Sequence, residues 1–227
     1  MLMAYMTKGG FMMLPILLVS VIALMIVIDK AIYLASLRTP APAVLNQIFS
    51  AVRKRDLKTA AKHVQTLRHP LSHLLEAGMM ESAKSLSDLH SVEEAIKLAA
   101  EEIGHKMQAS LKVLASLITI LPLLGFLGTI IGLIASFQAW EVMGDKVTVA
   151  QLAGGIYQAM ITTAAGLICV IPYYLAHGYL NAKVSALEMA FSKNATEFLS
   201  SLRQSVMAFD SEANERVSIK QPLQKTA

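Results

Sequence analysis

Three long uncharged runs constrain this chain more than anything else in it. Gly9–Ile28, Val113–Trp140 and Val147–Ala182 hold 20, 28 and 36 residues without one Asp, Glu, Lys or Arg. A bilayer core takes about 20 apolar residues as helix. Inside hydrocarbon the backbone must satisfy its own polar groups, and β-branched alternation is too weak here for strands. The runs therefore predict three membrane-spanning helices. Composition agrees, since 55% of the 227 residues are hydrophobic and only 16% charged. The first run is longer than a signal-peptide core and shows no small-x-small cleavage site. It passes through Asp29–Lys30 into a helical pattern at Ile32, Tyr33 and Leu37, so we read it as a retained span.

The remaining segments read as amphipathic helices. Val44, Leu45, Ile48, Phe49 and Val52 recur at helical spacing, as do Leu57, Ala60, Ala61, Val64 and Leu67. A further helix starts at Leu71 and reaches Met79. Ser91 and Glu94 have the spacing of a capping box. The apolar stripe that follows runs from Val92 towards the second span without a breaker until Pro122. After the third span, Val184, Leu187, Phe191, Ala195, Phe198 and Leu202 continue the pattern, and residues 210–227 are polar enough to predict disorder.

Topology follows from Lys and Arg. Residues 29–112 hold 12 and residues 183–227 hold 6, against one each at Lys8 and Lys146. The positive-inside rule then puts the long segment and the tail in the cytoplasm. The expected organisation is an outer N-terminus at 1–10, spans at 11–28, 113–138 and 152–177, a cytoplasmic helical domain at 29–112, an outer loop at 139–151, and a cytoplasmic helix with a disordered tail at 178–227. The fold class is an all-α integral membrane protein. The pI near 9.1 is accounted for by this charge partition, so no nucleic-acid partner is expected.

What lies inside the spans narrows the function. The second span carries Gly125, Gly128, Thr129, Gly132 and Ser136 at spacings of three and four, one face of a helix. The third carries Gly155, Ala159, Thr162, Thr163 and Gly166 in the same way. Such stripes serve close helix packing or wall a polar path, and the pattern alone does not decide between them. Gln158 is an amide in an apolar run and must face protein or water, because leaving it unpaired costs a few kcal/mol. Pro122 and Pro172 are expected helix kinks. No carboxylate, lysine or arginine falls within the three runs, so a self-contained proton relay is missing. Cys169 reads as a packing residue, the six histidines form no metal-ligand spacing, and no nucleophile–base constellation suggests an enzyme.

Two motifs carry a resemblance. Gly-Phe-Leu-Gly-Thr-Ile-Ile-Gly at 125–132 is similar to a GLLGTVxG core. It is followed by Gly155-Ile-Tyr-Gln-Ala-Met-Ile-Thr-Thr-Ala-Ala-Gly-Leu167 and Ile171–Pro172. In this order the chain resembles the MotA/TolQ/ExbB family of ion-channel stator subunits, in its three-helix ExbB and TolQ branch. The resemblance implies a homopentameric ring in the bacterial inner membrane, with the outer segments periplasmic. The ring surrounds the helices of an ExbD- or TolR-like single-span partner, whose membrane Asp supplies the missing carboxylate. It further implies that H+, or alternatively Na+, drives work at the outer membrane through a TonB- or TolA-like transducer. No other cofactor is expected, and membrane lipid is an expected partner. Thr129 and Thr163 match the family's path-lining threonines, with Thr162 and Gln158 beside them. Gly125, Gly128, Gly132, Ser136, Gly155, Ala159 and Gly166 are expected to provide close packing. One departure is Gln158, where the ExbB pattern often has Glu. The alternative reading is a passive oligomeric scaffold without ion flow.

Overall fold

The computed structural model describes residues 9–37, 40–67, 69–84, 88–146 and 148–220. Regular structure among them is helical throughout. α1 is Met13–Ser36, α2 Pro42–Arg53, α3 Leu57–Gln65, α4 Leu71–Lys84, α5 Leu89–Met143 and α6 Val149–Lys220, with a 3-10 turn at Gly144–Lys146. Three of them, α1, α5 and α6, contain stretches long and apolar enough to cross a membrane. The chain divides into two units. One comprises Met1–Leu34 with Gln108–Lys183, the other Ala35–Met107 with Val184–Ala227.

Local chemistry sets most helix starts. Asp56 accepts the Thr59 N–H at 3.0 Å and opens α3. At α5 the sequence expectation needs correcting. The cap is Asp88, not Ser91, and the helix begins at Leu89. Asp88 accepts the Ser91 N–H at 3.2 Å and the Ser91 hydroxyl at 2.6 Å. A carboxylate outcompetes a hydroxyl there because it also opposes the positive end of the helix dipole. These bonds hold the Asp88 carboxyl below the usual carboxylate range. At α6, Thr148 and Gln151 cap each other: Gln151 N–H donates to Thr148 Oγ1 at 3.3 Å, and Thr148 N–H to Gln151 Oε1 at 3.1 Å.

α1 continues past Asp29–Lys30 to Ser36, as the pattern at Ile32 and Tyr33 predicts. Other boundaries differ from the sequence expectation. α5 continues through Trp140 to Met143 and stops where Gly144 adopts φ +54°, a left-handed conformation that favours glycine. α6 reaches Lys220, past the point where disorder is expected at 210. Extending an existing helix needs no new nucleus, which is why a polar segment can remain helical there. Residues 221–227 of the expected tail lie outside the described residues. Both Pro122 and Pro172 sit within continuous helix. Each leaves the carbonyl four residues earlier, Ile118 and Ile168, without its usual helical donor.

In the second unit the amphipathic faces bury one another. Leu74, Leu75, Val92, Phe191, Phe198 and Leu202 are all buried. Gly78 lets the α4 backbone lie directly against its neighbours: a Cβ there would come 2.7 Å from Phe198 and 2.8 Å from Ile96. In the first unit the outward face of α1 exposes Leu14, Leu17, Leu18, Val21, Leu24 and Met25. An apolar surface of that extent suits lipid, not water.

Candidate functional site

The two small-residue stripes lie against each other. A Cβ on Gly132 would come 2.9 Å from the Gly155 carbonyl, and one on Gly166 would come 2.8 Å from the Leu121 carbonyl. One on Gly125 would stand 3.2 Å from Thr163 Cα, one on Gly128 2.5 Å from the Thr162 hydroxyl, and one on Gly155 would overlap Ser136 Oγ. Low numbers on α5 meet high numbers on α6, so the helices run antiparallel. Gly125, Gly128, Gly132, Ser136, Ala159, Thr162 and Gly166 are buried and Gly155 is half-buried. The stripes are thus occupied within one protomer.

Hydroxyls stitch the seam. Thr163 Oγ1 donates across it to the Gly125 carbonyl at 3.0 Å. Ser136 Oγ donates to its own helix at Gly132 (3.1 Å) and lies 3.4 Å from the Leu152 carbonyl of α6. Thr162, only 1% exposed, closes on Gly128 and donates back to the Ala159 carbonyl at 2.8 Å. Expected beside Thr163 as a path-lining group, it instead fills the helix contact. Thr129 is half-buried and donates to the Phe126 carbonyl of its own helix.

Helical phase separates the four polar residues named from the sequence. Thr129 and Thr163 each follow a contact residue, Gly128 and Thr162, by one position. Each is therefore turned about 100° from that residue, Thr163 staying near enough to the seam to reach the Gly125 carbonyl. Because the helices are antiparallel, the two turns carry both threonines to the same side of the pair. Gln158 and Ile161 each precede a contact residue and are turned to the other side. There α1 covers them. A Cβ on Gly10, whose φ is +67°, would overlap the Gln158 amide nitrogen, and one on Gly9 would stand 3.3 Å from Ile161. Ser20 Oγ and Tyr173 OH join α1 to α6 again, 2.8 Å apart. The helical phase turns Thr129 and Thr163 to the side away from this contact. It places Gln158 apart from them.

A protein-family model described as the MotA/TolQ/ExbB proton channel family matches residues 66–193, more than half of the chain. The chain belongs to this family. It is similar to an ExbB-like biopolymer transport protein of Synechocystis, 31% identical over 175 residues, covering 72% of this chain and 64% of the relative. It is similar also to an ExbB biopolymer transport protein of Vibrio cholerae, 27% identical, covering 72% of each chain. The Tol-Pal system protein TolQ of Pseudomonas aeruginosa is 31% identical over 122 residues, covering 54% of this chain and 52% of that one. The match spans only 64% of the Synechocystis relative and 62% of an ExbB homolog of Methanothermobacter thermautotrophicus, so the chain covers less than two thirds of their lengths. Together with three helices of spanning length, membership identifies a multi-pass membrane protein of the ExbB/TolQ branch.

Three features of this family member escape sequence reasoning. The Gly9–Gly10 turn and the Ser20–Tyr173 pair join residues about 150 positions apart, and no local pattern reports them. Lys30, expected close to a helix end, is 5% exposed, with its Nζ 5.2 Å from the centre of the Tyr33 ring. The i, i+3 spacing of a lysine and a tyrosine permits that cation–π contact, but burial of the lysine depends on the other helices.

Gln158→Glu tests the placement of that amide. Between α6 and the α1 turn, a charged carboxylate loses water that an amide gives up cheaply. The substitution is expected to lower thermal stability in detergent by about 1–3 kcal/mol at pH 7.5, with recovery at pH 5. Unchanged stability at both pH values would instead mean that the side chain faces water.

Proposed function

We propose that this chain is the channel subunit of an ion-driven stator in the bacterial inner membrane. Its N-terminus lies on the periplasmic side and its C-terminus in the cytoplasm. Five copies surround a single-span partner of the ExbD or TolR kind. Proton flow past the partner's membrane carboxylate powers work at the outer membrane, through a TonB-type or Tol-Pal-type system. Na+ in place of H+ is an outcome for flux measurements to separate.

The observation that carries this reading is the side of the α5–α6 pair on which Thr129 and Thr163 stand, opposite α1, in spans that contain no ionisable relay of their own. On that side the partner's carboxylate would meet hydroxyls within otherwise apolar walls. Protonation neutralises the carboxylate so that it can pass those walls, and release of the proton restores its charge. One charge moved across 100 mV is worth about 2.3 kcal/mol, enough to bias each step. The glycine stripes take a supporting part: they hold α5 against α6 closely enough to fix the two hydroxyls relative to each other. Co-purification with a single-span neighbour carrying a membrane Asp, at five copies of this chain per assembly, supports the proposal. A pure homo-oligomer that binds no such partner favours the passive scaffold.

A further inference from the structure

His69 stands immediately before α4 and is only 7% exposed. Its Nδ1 accepts the N–H of Leu71 at 3.2 Å, taking up one of the amides that the first turn of α4 leaves without a helical acceptor. Its backbone carbonyl accepts the Ser72 N–H and the Ser72 hydroxyl, each at 2.9 Å. With Nδ1 acting as acceptor, the neutral ring must carry its proton on Nε2. That nitrogen is the one buried side-chain polar atom without a partner among the described residues. The ring meets Phe191 of α6 edge-on, with centroids 5.7 Å apart. A buried donor left without a partner is costly.

We propose that His69 is a proton-sensitive latch that couples acidification of the surrounding solution to release of α4 from its unit. A second proton can enter the ring only at Nδ1. There it turns the acceptor for Leu71 into a donor, which faces another donor. The cap is lost, and a cation is left against Phe191. Burial already holds the imidazole below its usual range, so it is neutral near pH 7.

Among the described residues, burial is what shifts the ring and no carboxylate offsets it. On α6, Glu188 stands 3.3 Å from the position of a Cβ on Gly104, and Lys193 is exposed. On α4, His73 is exposed and Glu76 half-buried; on α3, Lys58 and Lys62 are exposed and His63 is half-buried. Opening α4 relieves both problems at once, and it matters because Leu74, Leu75 and Gly78 anchor this helix in the core. For the function proposed above, on which this regulatory role rests, protons accumulating in the cytoplasm would loosen the subunit that admits them.

The sign is fixed by linkage. A histidine whose folded-state pKa is depressed contributes fully above the unfolded value near 6.5, and its contribution is lost as pH falls below that. The test is hydrogen exchange in α4 of the full-length protein in nanodiscs, corrected for intrinsic rates. Protection of the first turns is expected to fall about tenfold between pH 7.5 and 5.5, the change for one proton gained on opening. His69→Asn retains an acceptor for Leu71 and cannot titrate, so its protection should not change with pH. His69→Leu should lose protection at both pH values. Equal pH dependence in the wild type and His69→Asn would overturn the inference, as would a wild type that does not respond. These readings do not depend on ion flow, so failure of the channel assignment leaves them intact. If the latch holds, measured ion flux below pH 6 on the cytoplasmic side should be higher in His69→Asn than in the wild type. Equal flux would remove the regulatory role.

Discussion

Replacing Gly132 by valine is expected to drive α5 and α6 apart and to cost about 2–3 kcal/mol or more. The new Cβ would meet the Gly155 carbonyl and Ala159 Cβ, each at 2.9 Å. A carbonyl on a helix axis cannot swing aside as a side-chain tip can, so the helices must separate. Overpacking of a well-filled contact costs about 1–3 kcal/mol, and the branch of valine adds to this. The cross-seam bond from Thr163 to Gly125 would be strained in the same movement. The measurement is thermal unfolding of the purified protein in detergent, with membrane abundance as a second readout. Gly154→Ala is the control. That glycine has nothing within 4 Å of an added Cβ, so alanine should be neutral or stabilising by up to about 1 kcal/mol through helix propensity. Equal losses at 132 and 154 would mean that the seam does not hold the helices.

The second large effect concerns the threonines, and it is functional. Thr163→Val keeps volume and removes the hydroxyl. The lost bond to the Gly125 carbonyl should cost roughly 0.6–1.7 kcal/mol, the range for interhelical hydrogen bonds in membranes. Thr129→Val removes a bond to its own helix carbonyl at Phe126, so no interhelix contact is lost and stability should hardly change. If both hydroxyls serve ion passage, both variants should lose more than tenfold of the driven outer-membrane activity in a complementation assay at normal membrane abundance. If the hydroxyls serve packing alone, activity should follow stability, with Thr163→Val impaired and Thr129→Val unaffected. The pair therefore separates two roles that a single substitution would confound.

Much of this architecture is legible in the amino-acid sequence because hydrocarbon imposes strict rules. Uncharged runs of spanning length give three helices of spanning length, and glycine spacing gives two matched stripes. What the stripes face is not legible. Gly128-x-x-x-Gly132 suits a partner's helix as well as the chain's own, and only the antiparallel register of α5 on α6 shows that the chain fills them itself. The same register moves Thr162 into the contact and turns Thr129 and Thr163 towards one side of the pair. For Gln158 the sequence leaves protein and water as alternatives, and the turn at Gly9–Gly10 that meets it lies about 150 residues away in sequence. Helix ends are read least well: Asp88 is overlooked because Ser91 and Glu94 satisfy the capping pattern three residues later. No local pattern marks His69, whose ring meets Phe191 on a helix more than 100 residues away.

In the proposed mechanism, ions cross beside the threonine side of α5 and α6 only when another chain brings the titratable group. Proton uptake into proteoliposomes under an imposed membrane potential tests this most directly. The protein alone should show uptake no greater than empty vesicles. The complex with its single-span partner should conduct, and conversion of the partner's membrane Asp to Asn should abolish conduction. Proton uptake by this chain on its own, at the rate of the complex, would contradict the account.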